Sequence, residues 1–220
     1  MSNQPTDRRI DRLIQLFVEN AMVVLPGPKI AAEIGVTRHR VWTWVEKLRA
    51  LGMEIQGRPS SGYKLRKLPD LLTPALMRGE LAGGVVGRKL IHFFSVDSTN
   101  SVAMNLAARG ETHGTVVVAE EQTSGRGRLG RTWYSERSAG IYVSVILRPV
   151  LAPSAAPALT LAAGLAARRA IETATGNTPD IRWPNDLLVN GKKVCGILTE
   201  MNAEMDRVHS VVVGAGINVN

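Results

Sequence analysis

Disulfides are the first thing this sequence cannot build, because it holds a single cysteine, Cys195. One cysteine makes no internal bridge, which fits a reducing compartment, so a cytoplasmic protein is expected. Cys195 lies in an apolar run and reads as a core thiol rather than a nucleophile. A secretory signal pattern is missing, as is any apolar stretch of about 18 residues, so no membrane association is expected. The alanine-rich run at 155–174 is interrupted by Gly164, Arg168 and Arg169 and reads as a helix lying on a sheet. Acidic residues are also scarce, 19 against 27 Lys and Arg, for a net charge of +8. The imbalance points to an anionic partner. Residues 1–70 hold 12 Lys and Arg against 7 Asp and Glu, a net +5. The other 15 basic and 12 acidic residues leave only +3 on residues 71–220. With 45% hydrophobic and 21% charged residues over 220 positions, the chain has the composition of a globular protein of one large or two small domains.

The most informative stretch is Gly125-Arg126-Gly127-Arg128-Leu129-Gly130-Arg131-Thr132-Trp133. Glycine permits tight turns and close backbone approach, and arginine offers a permanently charged fork for carboxylate or phosphate. The run therefore reads as a loop that folds over an anion. Gly125, Gly127 and Gly130 match a dinucleotide fingerprint, but that motif must open a helix and be followed by an acid about 20 residues on. Here a β-rich run, Ile141 to Leu147, follows, and Pro149-Val150-Leu151 stand where the acid belongs. A P-loop, with Arg131 in the lysine position, fails for want of the same helix. A disordered Arg/Gly segment binding RNA is opposed by a single copy set between two strong strands.

In the N-terminal third, Ile10, Leu13, Ile14 and Phe17 recur at helical spacing. Lys29 to Ile34 gives a second helix, Gly35-Val36 a turn, and Thr37 caps a third helix to about Leu51, with Val41, Trp44, Val45 and Leu48 as its buried stripe. Two helices joined by a glycine turn form the helix-turn-helix pattern. A strand at Met53 to Gln56, a turn at Gly57 to Gly62 and a strand at Tyr63 to Leu65 add a wing. Thr37, Arg38, Arg40, Thr43 and Lys47 are the candidates for facing DNA, with Arg58 on the wing for phosphate. The bland alternative is a helical domain with a solvated basic face. Leu68-Pro69-Asp70 ends this domain, so the expected division is 1–66 and 67–220. Thr73-Pro74 caps a short helix that stops at Gly83-Gly84.

Beyond it, Ile91 to Val96 reads as a strand and Asp97-Ser98-Thr99-Asn100 opens a helix to Ala108. That helix start either receives a polar ligand atom or is simply capped by Ser98. Strands follow at Thr115 to Ala119, Ile141 to Leu147 and Ile181 to Trp183. Asn190-Gly191 predicts a hairpin joining Leu187–Val189 to Lys193–Met201. A last strand, His209 to Val213, ends at Gly214-Ala215-Gly216-Ile217-Asn218. Trp183, Val194, Ile197 and Leu198 are expected in the core, and His113 is read as structural.

Five stretches together carry a resemblance: Asp97-Ser98-Thr99-Asn100, the Gly125–Trp133 loop, Arg182-Trp183-Pro184-Asn185-Asp186, Lys193-Val194-Cys195-Gly196-Ile197-Leu198 and Gly214-Ala215-Gly216-Ile217-Asn218. In this order, behind a winged helix-turn-helix, they resemble the biotin–protein ligase family in its bifunctional bacterial form, ligase and biotin operon repressor in one chain. The resemblance implies an α+β protein, a winged helix-turn-helix followed by a mixed-sheet catalytic domain. It also implies that biotin and ATP form biotinyl-AMP, which a lysine of a biotin carboxyl carrier protein then attacks. By resemblance, Ser98, Thr99, Asn100, Gln122, Gly125 and Gly196 hold biotin, while Arg126, Gly127 and Arg128 line its carboxylate and the phosphate. Lys193 stands beside both groups, and Arg126, Arg128 and Lys193 are the catalytic set. Arg131, Trp133, Asn185 and Asn218 join Arg128 and Lys193 around the nucleotide. Asp186 either orients Mg²⁺ or caps a turn. Operator DNA and a ligand-promoted homodimer are the further expected partners. Arg182 stands where many members have lysine. The family also continues past the last motif, so the sequence is expected to be either a fragment lacking the C-terminal part, the favoured reading, or a naturally short form. A biotin-sensing DNA-binding regulator without transfer activity is the alternative. A lipoate or octanoate ligase is disfavoured by the Gly-Arg-Gly-Arg loop.

Overall fold

The computed structural model describes residues 3–67, 70–81 and 83–219. Leu68 and Pro69, read above as the end of the first domain, lie outside these. The chain forms two compact units, one of which is Thr6–Gly79; the other begins at Glu80 and takes in the described residues 3–5.

The first unit opens with α1 (Arg8–Glu19), whose start is capped by the Asp7 carboxylate accepting from the Arg9 amide at 2.8 Å. Its stripe of Ile10, Leu13, Ile14 and Phe17 is buried as the spacing requires. Each such side chain contributes about 1.5–3 kcal/mol on full burial. Helix α2 (Gly27–Ile34) starts two residues earlier than expected, because Pro28 suits a first turn. It ends at Gly35 in the left-handed conformation, φ 71°. Helix α3 (Arg38–Ala50) is capped by Thr37, whose hydroxyl accepts from the Arg40 amide at 3.2 Å, and buries Val41, Trp44, Val45 and Leu48.

The wing pairs β1 (Ile55–Arg58) with β2 (Gly62–Leu65), antiparallel. The first strand lies two residues later than the expected Met53–Gln56. The Met53 amide still bonds the Leu48 carbonyl at the end of α3, so the chain is released only afterwards. Leu25 and Tyr63 exchange backbone bonds of 2.8 and 2.9 Å, tying the wing to the start of α2. The short helix after Pro74 is one turn, α4 (Pro74–Met77), not a helix running to Gly83. Thr73 precedes it, but its buried hydroxyl makes no cap; the Asp11 carboxylate of α1 accepts the Ala75 amide instead, at 2.8 Å. This packing of α4 on α1 carries the helical unit past Arg66 to Gly79.

The second unit is a seven-stranded mixed sheet. Its elements run β3 (Leu90–Phe93), α5 (Thr99–Ala108), β4 (Val116–Ala119), β5 (Gly140–Leu147), α6 (Pro157–Thr175), β6 (Asp180–Arg182), β7 (Asp186–Val189), β8 (Lys192–Ala203) and β9 (Val208–Asn218). The strand order is β3-β4-β5-β9-β8-β7-β6, and only β3 and β4 pair in parallel. Asn190 and Gly191, φ 50° and 75°, make the β7–β8 turn that their pairing predicts. Because side chains alternate along a strand, the sheet has two cores. One, with Val117, Ile146 and Val212, lies with Ala103 and Ala107 of α5. The other, with Leu187, Cys195, Ile197, Val211 and Val213, lies with Ala167 of α6.

Three expectations need correction here. Strand β9 does not stop at Val213. Gly214 to Asn218 continue it, paired on one side with Gly140–Ser144 and on the other with Cys195–Leu198. Strand β3 stops at Phe93, and Val96 only bridges to Gln122. Trp183 is not core: it follows the edge strand β6 and is 77% exposed. Of the other three, Ile197 is buried, whereas Val194 and Leu198 are half-buried.

Candidate active site and recognition helix

On the α5 face of the sheet a cleft opens beyond the N-terminus of α5. Its floor is glycine. Gly196 of β8 pairs with Gly216 of β9, and Gly214 pairs with Ser144 of β5 and Leu198 of β8. A Cβ at Gly196 would lie 2.7 Å from the Trp133 ring, and one at Gly216 would run into the same ring. A Cβ at Gly214 would strike the Asn100 amide. These glycines are present because two side chains lie directly on the strands.

One wall is a hydrogen-bonded network. The Thr99 amide and hydroxyl both donate to Gln122 Oε1, at 2.8 and 3.0 Å, and Gln122 Nε2 donates to Ser135 Oγ at 2.8 Å. The Ser144 hydroxyl shares its proton between Thr99 Oγ1 at 2.8 Å and Asn100 Oδ1 at 2.6 Å. Asn100 Nδ2 donates to the Leu198 carbonyl at 3.2 Å and to Glu200 Oε2 at 2.9 Å. Ser98 caps α5, its hydroxyl accepting from the Ser101 amide at 3.4 Å. Every polar atom of Asn100's side chain is engaged, so its orientation is set before any ligand arrives.

The opposite wall is the arginine loop, which forms a small hairpin. Gly127 donates its amide to the Arg131 carbonyl at 2.7 Å, and Trp133 donates to the Gly125 carbonyl at 2.9 Å. The tip, Arg128–Gly130, is a single 3₁₀ turn in which Leu129 takes φ 57° and Gly130 φ 72°. A hydrogen-bonded hairpin accounts for the ordered loop inferred from its flanking strands. Gly125 is tight for a different reason: a Cβ there would lie 2.7 Å from Ser135 Oγ. Arg126 Nη2 meets Glu200 Oε1 at 2.6 Å and Nη1 donates to Ser101 Oγ at 3.3 Å. Arg128 Nη1 donates to Asn185 Oδ1 at 3.2 Å. Arg131 is exposed and lines the cleft.

The end wall is built on the β7–β8 hairpin. Lys193 Nζ lies 2.8 Å from Asp186 Oδ1 and 5.1 Å from the centre of the Trp133 ring. The indole N–H of Trp133 is buried and unpartnered among the described residues. Asn185 donates to the Ile197 carbonyl at 3.1 Å, and Asn218 donates to the Lys193 carbonyl at 3.2 Å. The Asp186 carboxylate forms an ion pair with the lysine, and its buried Oδ1 has no well-aligned hydrogen bond among the described residues. No group of three or more His, Cys, Asp and Glu suited to a metal occurs among the described residues. A divalent cation with mostly protein ligands does not fit this donor set; one carried by substrate phosphates does.

Sequence reasoning did not name the Ser101, Ser135 and Ser144 hydroxyls, which bond Arg126, Gln122, Thr99 and Asn100 here. It also missed Glu200, and the available signal was alternation: Gly196, Leu198 and Glu200 share one face of β8. Cys195, one residue before Gly196, points to the other core and is fully buried. Burial pushes its thiol up to about 12, so it carries no thiolate at neutral pH. His113 accepts from the Arg148 amide at 3.0 Å, a structural contact.

In the helical unit, Thr43 lies on the exposed face of α3, its hydroxyl donating back to the His39 carbonyl at 3.0 Å. Arg40 stacks over the Trp44 ring at 5.5 Å, and Arg38 reaches the Pro59 carbonyl in the wing at 3.3 Å. Lys47 is half-buried and Arg58 is exposed at the end of β1. His39 and Trp42, with ring centres 5.5 Å apart, share this surface and were not anticipated.

Comparison with known proteins agrees with both units. The family described as biotin/lipoate A/B protein ligase matches residues 93–218, more than half of the chain, and the chain belongs to that family. A helix-turn-helix (HTH) domain family matches residues 9–64. The bifunctional ligase/repressor BirA of Bacillus spizizenii is 45% identical over 208 residues, 94% of this chain and 64% of that one. The protein of the same name from Escherichia coli is 31% identical over 193 residues, 88% of this chain and 59% of that one. A biotin protein ligase from Leishmania major, solved in complex with biotinyl-5-AMP, aligns with a TM-score of 0.52 at 31% identity, over 60% of this chain and 57% of that one. The chain therefore spans less than two thirds of the length of these relatives.

Proposed function

We propose that the cleft activates biotin with ATP, giving biotinyl-AMP and pyrophosphate, for transfer to a lysine of a biotin carboxyl carrier protein. In the first step a biotin carboxylate oxygen bonds to the α-phosphorus as the bond from that phosphorus to the pyrophosphate oxygen breaks. The acceptor amine then takes the acyl group and AMP leaves. Neither step uses an enzyme nucleophile. The work of the protein is positioning and charge neutralisation.

The observation that carries this reading is the convergence of Arg126, Arg128 and Lys193 on one glycine-floored cleft beside the Thr99–Asn100–Gln122 network. The network offers polar atoms to the ureido ring. The cations offset charge on the carboxylate and the α-phosphate. Asp186 holds the Lys193 ammonium in place, and Trp133 supplies an aromatic face and a spare N–H donor for the adenylate. Mg²⁺ comes with the ATP phosphates, with Asp186 as the nearby carboxylate. The N-terminal unit is the DNA-binding half of a biotin-responsive repressor, with α3 as its recognition helix and a ligand-promoted dimer presenting two copies to operator DNA.

The test is to incubate the protein with biotin and ATP·Mg²⁺ and measure biotinyl-AMP by mass spectrometry. Arg128→Ala is expected to slow adenylate formation by about a hundredfold, the usual loss when one charged group facing the transition state is removed. An Arg128→Ala variant as fast as the parent would remove the loop from the mechanism.

A further inference from the structure

Glu200 is a carboxylate that bonds two residues lining the cleft, Asn100 on one wall and Arg126 on the other. It sits on a rigid strand, 22% exposed, with Oε2 fixed by the buried amide of Asn100. Its other oxygen meets Arg126 Nη2 at 2.6 Å. The Arg126 side chain is 50% exposed and belongs to a loop, so of the two partners the carboxylate is the fixed one. A guanidinium has five N–H donors in a planar fork. Glu200 and Ser101 take two of Arg126's, leaving three for another acceptor. One arginine can therefore be held from the strand side and still present donors to a ligand.

We propose that Glu200 is a positioning residue that aims Arg126 at the carboxylate of the bound acid. Through Asn100 it joins that aim to the network on the opposite wall, so occupancy of the ring pocket and orientation of the anion-binding arginine act together. This inference rests on the reading of the cleft as a biotin site. The opposite role, a carboxylate competing with the ligand for Arg126, uses the same contacts but reverses the sign of the mutational effect.

The experiment uses the full chain and Glu200→Gln, which keeps the shape and the bond to Asn100 but removes the charge. Biotin and uncharged biotinamide are titrated calorimetrically. Glu200→Gln is expected to weaken biotin about three- to fivefold, the scale of a half-exposed ion pair, and to leave biotinamide unchanged. In an Arg126→Ala background it should add nothing. In the ligand-free protein, trypsin should cut after Arg126 severalfold faster in Glu200→Gln, since the loop is then held by less. Tighter biotin binding would establish competition instead and overturn the proposal. So would equal losses for biotin and biotinamide, or losses that add to those of Arg126→Ala, because both describe a merely structural residue. A parent protein that binds neither ligand would overturn the biotin reading, while the trypsin comparison still judges whether Glu200 holds Arg126.

Discussion

A glycine at a sheet crossing and a carboxylate at a helix end show how much a single position decides here. Gly216 has no side chain because the Trp133 indole occupies the space above it. A Gly216→Ala substitution must lift that ring off the floor, and a displacement of about 1 Å at a reacting centre costs up to a hundredfold in rate. Adenylate formation should fall at least tenfold while the melting temperature changes little, since a strand accepts alanine. Glu111 follows α5, and its pKa is lowered to about 2, first by the hydrogen bond from Lys89 and then by that from the Thr112 amide. A depressed carboxylate contributes stability above its unfolded value, near 4.5, and loses it as pH falls towards 2. Glu111→Gln should therefore flatten the acid-unfolding curve between those values and leave the curve above pH 5 parallel to the parent's. Urea titrations across the range would check it; an unchanged acid limb would assign the stability to other carboxylates.

Among elements, the wing depends on one side chain. Arg49 of α3 donates to the Ile55 and Gly57 carbonyls, each at 2.8 Å, and pairs with Glu46 at 2.6 Å. These bonds hold β1 against the helix that precedes it. Arg49→Ala leaves both carbonyls to water and should destabilise the helical unit by about 2 kcal/mol, since hydrogen bonds to a charged donor contribute about 1.5–3 kcal/mol each and this arginine is partly solvated. Hydrogen exchange should show the Lys64 and Arg66 amides, on the side of β2 that faces β1, opening first; unchanged protection would mean that the Leu25–Tyr63 bridge alone secures the wing. The arginine loop is organised in the same local way. Its two backbone bonds close a hairpin within nine residues, which is why its order was legible from the strands on either side. At the start of α5 the cap is present, and the next amide is already taken by a side chain from far along the sequence. Ser98 caps the helix, and the Thr99 amide donates to Gln122, a residue 23 positions away.

For the whole molecule, charge gives the broadest prediction. The N-terminal third holds most of the excess positive charge, and the exposed surface of α3 presents Arg40 and Thr43 beside half-buried Lys47. Binding to a fluorescent 30-base-pair duplex of arbitrary sequence should weaken steeply with salt. Arg40→Ala with Lys47→Ala should lower the log–log slope by about 2, one for each phosphate that is no longer neutralised. A slope identical to the parent's would move the DNA-binding surface away from α3.

The sequence by itself determined the two-unit plan, the three helices and the buried stripes of α1 and α3, the β7–β8 hairpin and the motifs that meet at the cleft. Each rests on a local rule: a 3.6-residue period, a capping hydroxyl, an Asn-Gly turn or a motif of fixed order. Only the tertiary structure decided the partners. Strand β9 runs on through its glycines because β5 and β8 offer hydrogen bonds on both sides. Trp183 is exposed because β6 is an edge. The Thr73 hydroxyl loses its capping role to Asp11, which is distant in the chain. Asp186 pairs with Lys193, and Glu200 reaches Arg126 and Asn100. Periodicity says which way a side chain points along its own element; what stands opposite depends on how the strands are ordered, and that order is set by burying both faces of the sheet at once.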